Sequence, residues 1–177
     1  MARKRCSSCF RWILLLVTAV CALVATGPGV VATTLLTMDV PALSEMADCV
    51  LEGEIRGTRC VWNETHTQIH TYVSFDVTTV HAGECTPGTR EFRMLGGAVA
   101  DTAMIVDGSP SFGAGERVFL FMRDESNSNF PIVGWKQGKL TFTIHAETSA
   151  ERIGNVHVGY FDRDELIFAV QQAREGR

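Results

Sequence analysis

The clearest alternation of hydrophobic and polar positions in the chain runs through residues 68–80, which contain no Gly or Pro. One face is nearly apolar and the other is mixed; the two sets are Ile69, Thr71, Val73, Phe75, Val77 and His70, Tyr72, Ser74, Asp76, Thr78. A period of two residues with β-branched and aromatic side chains predicts a strand with one face against a core. We therefore predict a long central strand here, of the kind that lines a barrel.

Further segments of the chain predict the remaining strands. They are residues 49–57, continuing irregularly to 62, and residues 89–95, 117–123, 130–135, 139–145 and 152–160. Residues 117–123 are apolar at almost every position, which is typical of a strand covered on both faces. Gly53 interrupts the first strand and predicts a bulge or the close approach of another backbone.

Two helices are predicted at the ends of this strand-rich region. Residues 41–48 begin with Pro, which suits a first helical turn. Residues 164–174 place Leu166, Ile167 and Val170 at helical spacing, with an acidic start and a basic end. The sequence thus predicts an all-β domain at residues 40–175, a small antiparallel barrel with a short N-terminal helix and a C-terminal helix.

Residues 96–116 have no sustained period and contain several Gly and Pro residues. A loop of about twenty residues is uncommon in a compact domain unless it is functional or disordered. This loop carries apolar residues, so we expect it to fold back onto the body and to bind a partner. The predicted contact residues are Met104, Ile105, Val106 and Phe112.

The N-terminus has the pattern of an export signal. Four basic residues within the first eleven positions precede the apolar run at residues 13–25, and small residues follow. We predict a signal peptide at residues 1–32, or an uncleaved anchor, followed by an extended arm at residues 33–39. Cleavage after Ala25 and cleavage after Ala32 both remain open.

Removal of residues 1–32 takes away four of the 16 basic residues and none of the 20 acidic residues, which changes the net charge from −4 to −8. An acidic surface repels phosphate backbones and anionic lipid. We therefore expect no nucleic-acid partner and no membrane contact beyond the leader. An extracellular or periplasmic protein is the expected partner.

Three of the six cysteines remain after the leader, and they are Cys49, Cys60 and Cys85. An exported protein resides where disulfides persist, so one disulfide and one remaining thiol are expected. We predict the pair Cys60 and Cys85 because they flank the central strand, and the other two pairings remain open.

No catalytic, metal or cofactor site is predicted. His66 and His70 would share a metal on a helix, but four residues of a strand span roughly 13 Å, so two surface histidines are expected. Ser109 precedes Pro110, which removes a backbone N–H where an oxyanion hole would need one. The carboxylates of the first two strands, Glu52, Glu54 and Asp76, are expected to be solvated.

The order of several motifs resembles the OB-type barrel of the netrin-like and tissue-inhibitor-of-metalloproteinase superfamily. The motifs are Ala47-Asp48-Cys49-Val50, the long strand of residues 72–80, His81-Ala82-Gly83, Phe92-Arg93-Met94 and residues 115–121 (GERVFLF). The chain also looks like a group of small uncharacterised exported bacterial proteins that share GERVFLF and GWKQGKL. The resemblance covers roughly residues 42 to 145 and implies an OB-like fold.

The resemblance also implies an inhibitor function for some relatives, in which a cysteine at the mature N-terminus binds the protease zinc. The predicted mature end near Thr33 has no cysteine. The first hypothesis is therefore an exported, non-catalytic β-barrel module that binds a protein or surface partner, with inhibition or regulation of a secreted metalloprotease as the alternative. A third hypothesis, an enzyme or metal-binding protein using His66, His70 or His81, requires bound metal, and none is expected.

Overall fold

The computed structural model describes residues 36–123, 129–145 and 148–176. The predicted leader and the first part of the predicted arm lie outside these residues. The elements of the described part are helix α1 (Val40–Met46), strands β1 (Cys49–Trp62), β2 (Ile69–Ala82), β3 (Gly88–Leu95), β4 (Gly97–Val99), β5 (Thr102–Met104) and β6 (Arg117–Met122), a 3-10 helix (Trp135–Gly138), strands β7 (Lys139–Ile144), β8 (Glu151–Asn155) and β9 (Gly159–Phe161), and helix α2 (Arg163–Glu175).

Seven of these strands form one antiparallel sheet in the order β3-β2-β1-β6-β7-β8-β9, and β4 and β5 form a separate hairpin. Strand β1 lies near the middle and pairs with β2 along most of its length and with β6 at its first six residues. The prediction of a strand-rich antiparallel fold with one helix at each end is confirmed. Neither helix in the described part of the chain is long and apolar enough to cross a membrane.

Two segments that were each predicted as a single strand are not continuous strands, because turns interrupt them. In residues 130–135 only Ile132 makes a bridge, to Met122, before the chain turns into the 3-10 helix through left-handed Gly134. Residues 152–160 form a hairpin instead of one strand. Its turn is set by the Asn155 side chain, which accepts hydrogen bonds from the backbone N–H groups of His157 and Val158.

The sheet buries both of its faces. One core cluster contains alternate residues of β6 and the apolar face of β2. The other contains the remaining β6 residues, Phe119 and Phe121, together with residues of both helices such as Leu43 and Leu166. Since successive strand residues point to opposite faces, the two helices cover one side of the sheet, and Phe112 of the loop at residues 96–116 packs on the other.

Gly53 lies at a point of close approach between the backbones of β1 and β2. The pairing register shifts between Glu52 and Gly53, and a Cβ atom added at Gly53 would clash with the carbonyl oxygen of Asp76. Both features predicted for this glycine, a bulge and a close backbone approach, are therefore present. The glycine thus lets β1 stay paired with β2 on both sides of the register shift.

The arm before α1 is tied to the body by one buried amide. The side-chain carbonyl of Gln137 accepts a hydrogen bond from the Met38 backbone N–H at 2.7 Å, and its amide nitrogen donates to the Leu36 carbonyl at 2.9 Å. Both polar groups of Gln137 are thus satisfied by backbone across about a hundred residues of sequence. Residues 36–38 therefore have a fixed path on the surface of the domain.

The disulfide joins Cys49 and Cys85, so the predicted pairing of Cys60 with Cys85 is wrong. Residues that flank a strand lie at its opposite ends, and the 14 residues of β2 span roughly 45 Å. In the antiparallel β1-β2 hairpin, the start of β1 lies beside the end of β2, which places Cys49 and Cys85 with Cα atoms 6.2 Å apart. Cys60 is a free thiol near the turn, 3.3 Å from the Thr71 hydroxyl.

Candidate functional site

The predicted partner-binding loop, residues 96–116, is anchored at several points. It begins with the β4-β5 hairpin. Further along, the Gly108 carbonyl accepts a hydrogen bond from the Lys136 N–H, and the ammonium group of Lys139 contacts both the Ser111 carbonyl and the Glu116 carboxylate. These contacts hold the loop against the body.

A half-open groove of about 250 Å³ lies between this loop and the sheet. We call it the loop groove, and its lining is Thr58, Thr71, Met94, Leu95, Gly96, Gly97, Met104, Val106, Ser109, Pro110, Ser111 and Phe112. Three of the four predicted contact residues therefore line one groove. The fourth, Ile105, lies outside it with 90% of its surface exposed.

Phe112 differs from the other predicted contact residues because it also belongs to the body. Its ring meets that of Phe92 edge to face, with centroids 5.5 Å apart, and it packs against the core cluster on that side of the sheet. The Lys139 ammonium lies 4.7 Å from the centre of the Phe112 ring. Phe112 thus fixes the end of the loop and forms part of the groove.

Among the carboxylates of the described residues, Glu52 has the pKa that departs furthest from its ordinary value. It is 5% exposed, and the Arg163 guanidinium donates to both of its oxygens at 2.8 and 2.6 Å. His81 Nε2 lies 2.9 Å from Glu52 Oε2, and the His81 ring stacks on Phe119 with centroids 4.7 Å apart. Burial raises the pKa of Glu52, but hydrogen bonds from His81 and Arg163 and the charge of Arg163 outweigh it and lower this pKa to about 2.

The expectation that Glu52 is solvated is therefore wrong. Helix α2 brings Arg163 over the face of the sheet that carries Glu52, and this face is covered instead of open. Glu54 and Asp76 keep a partly exposed position, where both pair with Arg56. With both Glu52 oxygens occupied, the cluster serves to join β1, β2 and α2.

The predicted histidine pair separates into two environments. His66 lies in the β1-β2 turn in a left-handed conformation and is exposed, as predicted. His70 is only 7% exposed, so the prediction of a surface histidine is wrong at this position. Within the described ranges, no group of three or more His, Cys, Asp and Glu side chains is placed to hold a metal ion.

A second concave surface lies at the turn end of the β1-β2 hairpin, and sequence reasoning missed it. We call it the hairpin concavity; its volume is about 420 Å³ and its lining is Trp62, Asn63, Glu64, Thr65, His70, Tyr72 and Arg93. The mixed face of the central strand was a signal for it, since His70 and Tyr72 lie on that face. The sequence alone could not predict that Arg93 lines this surface, because only the pairing of β3 with β2 brings Arg93 beside Tyr72.

Models of known protein families, curated protein sequences and solved structures contain no match to this chain. The loop groove, the Glu52 cluster and the hairpin concavity are therefore the basis on which its function is inferred.

Proposed function

We propose that this protein is an exported, non-catalytic β-barrel module that binds a protein partner through the loop at residues 96–116. The observation that carries the proposal is the position of Ile105, an aliphatic side chain that is 90% exposed on an anchored loop beside a groove. Binding residues are often found on loops held by a rigid scaffold.

The energetics of this surface favour association. Complete burial of an Ile side chain contributes roughly 1.5–3 kcal/mol, and the groove next to it can accept an apolar side chain of the partner. Because the hairpin, Phe112 and the Lys139 contacts already order the loop, binding costs little further conformational entropy. A partner that presents apolar side chains is therefore the best fit.

Backbone hydrogen bonds at one end of the sheet support the barrel form of this proposal. Beyond β6, the Arg123 N–H donates to the Pro131 carbonyl, and the Asn129 carbonyl accepts from the N–H of Leu95 at the end of β3. These bonds place residues 129–131 between β6 and β3, as a barrel would require at that end. The Cys49–Cys85 disulfide is compatible with an oxidising compartment outside the cytoplasm.

Replacing Ile105 with Asp is expected to abolish capture of the partner while leaving the free energy of unfolding unchanged. The charge would have to be buried in the complex, whereas in the free protein it remains in water. The measurement is affinity capture from the exported fraction of the source organism, with captured proteins identified by mass spectrometry and then tested as purified components.

Val156 provides the matched control, since it is 83% exposed and lies in the β8-β9 turn, which does not line the groove. The Val156→Asp variant should capture the same partner as the unmodified protein. If Ile105→Asp also retains it, or if no protein is captured by the unmodified chain, the loop is not the binding surface. Inhibition of a secreted metalloprotease stays a prediction that no contact among the described residues favours.

A further inference from the structure

The hairpin concavity is lined by two side chains whose polar groups have no hydrogen-bond partner among the described residues. His70 is 7% exposed as a residue, and its ring nitrogens, which make no hydrogen bond to any described residue, keep contact with solvent. Arg93 is half-buried and pairs with no carboxylate among the same residues. The N–H groups of Arg93 and His70 line the same hollow without a hydrogen-bond partner among the described residues, so together they indicate the place of an anionic group.

The other arginines of this region show the contrast. Arg59 donates to Glu91 at 2.8 Å and Arg56 pairs with Asp76, so each has its own carboxylate. Arg93 lies directly opposite Tyr72 in the β2-β3 register, and Arg59 lies opposite the same Tyr72 in the β1-β2 register. Arg93 is thus a cation at the concavity that pairs with no carboxylate within the described ranges.

The aromatic rings of Trp62 and Tyr72 also belong to lining residues, and each ring is held by a residue that does not line the concavity. The Arg59 guanidinium lies 4.0 Å from the centre of the Tyr72 ring. The Trp62 ring stacks on His66, with centroids 6.0 Å apart and an interplanar angle of 14°. Fixed rings of this kind offer flat apolar surfaces to the C–H groups of a ligand at little entropic cost.

The turn that carries the rim is also ordered before any ligand arrives. Asn63 accepts hydrogen bonds from the backbone N–H groups of Thr67 and Gln68 at 2.8 and 3.0 Å, and its amide nitrogen donates to the Thr65 hydroxyl at 3.0 Å. Glu64 and Thr65 are consequently held at the rim, where their oxygens can accept hydrogen bonds from hydroxyl groups.

We propose that the hairpin concavity binds a sugar acid. Its carboxylate pairs with Arg93 and His70, its ring lies against Trp62 and Tyr72, and its hydroxyl groups donate to Glu64 and Thr65. The volume of about 420 Å³ lies within the range of roughly 300–1,000 Å³ that is usual for small-ligand sites. A neutral sugar leaves Arg93 unpaired, and an aromatic acid leaves the rim acceptors without donors.

The test is calorimetric titration of the purified protein with trimers of galacturonate, glucuronate and mannuronate, with the intrinsic Trp fluorescence as a second readout. At least one trimer should bind saturably, and its methyl ester, which differs only in charge, should bind about tenfold more weakly or worse. Binding should change the fluorescence of Trp62, and this change should be absent in Trp62→Phe.

Arg93→Gln is the decisive variant and Arg56→Gln its matched control, because each removes one guanidinium from the same sheet. Arg93→Gln should weaken binding about tenfold or more, whereas Arg56→Gln should change it less than about twofold. His70→Gln should weaken binding as well, and circular dichroism establishes that each variant is folded.

The proposal is overturned if no trimer binds at about 10 mM, if Arg93→Gln binds as well as the unmodified protein, or if inorganic phosphate or triglutamate binds as tightly as the best sugar acid. The loop groove uses none of these residues. Ile105→Asp should therefore bind the sugar acid normally, so failure of the sugar-acid site and failure of the loop site can be told apart.

Discussion

Replacing Glu52 with Gln is expected to lower the free energy of unfolding at pH 7 by about 3 kcal/mol. Glutamine has nearly the same size but no charge, so the two-pronged contact with Arg163 and the contact with His81 both lose their ionic component. The magnitude follows from the pKa of Glu52, which is lowered from 4.5 to about 2 in the folded protein. Denaturation by urea, followed by circular dichroism, measures it.

The same pKa sets the pH range in which this stabilisation disappears. Because the pKa of Glu52 is lower in the folded state than in the unfolded state, the folded state binds fewer protons, and stability rises with pH in the interval between the two values. The contribution is complete above about pH 4.5 and is lost as the pH falls to about 2. The stability of the unmodified protein should therefore decline more steeply across this interval than that of Glu52→Gln.

Glu54→Gln is the control for this prediction. Glu54 lies two residues along the same strand, but its ion pair with Arg56 is exposed, and exposed pairs contribute roughly 0–1 kcal/mol. Its removal should leave the acid dependence of stability unchanged. Equal losses in Glu54→Gln and Glu52→Gln, or parallel pH profiles for Glu52→Gln and the unmodified protein, would contradict a structural role for the Glu52 cluster.

The difference between these two carboxylates shows where sequence reasoning stops. Alternation along β1 and β2 predicted the strands and their faces, because the period of two is a local property. The burial of Glu52 depends on Arg163, which is 111 residues away in the chain and arrives with α2. A face that alternates as polar can thus be covered by a helix without any local change in pattern.

The two candidate sites also differ in how far the sequence alone could predict them. The loop was predictable from its lack of period and its apolar residues, and the structure places Met104, Val106 and Phe112 in one groove. The hairpin concavity requires β3 to be aligned with β2, because only that register brings Arg93 beside Tyr72. Pairing between strands is set by the whole sheet, so a single sequence gives the strands but not the neighbours of each side chain.

The cysteine prediction failed for a related reason, and the corrected pairing has a measurable consequence. Replacing Cys49 and Cys85 together by Ser is expected to lower the free energy of unfolding by about 4 kcal/mol. The disulfide closes a loop of 36 residues in sequence, and its loss restores conformational freedom to the unfolded chain. It also removes the covalent link between the start of β1 and the segment that follows β2.

The free thiol supplies the control and a test of the pairing itself. Cys60→Ser should change the free energy of unfolding by less than about 1 kcal/mol, since a serine hydroxyl can also hydrogen-bond to Thr71. Alkylation of the denatured, unreduced protein should modify Cys60 and leave Cys49 and Cys85 unmodified, as read by peptide mass spectrometry. Modification of Cys49 with protection of Cys60, or a larger loss of stability in Cys60→Ser than in the double variant, would show that Cys85 bonds to a different cysteine.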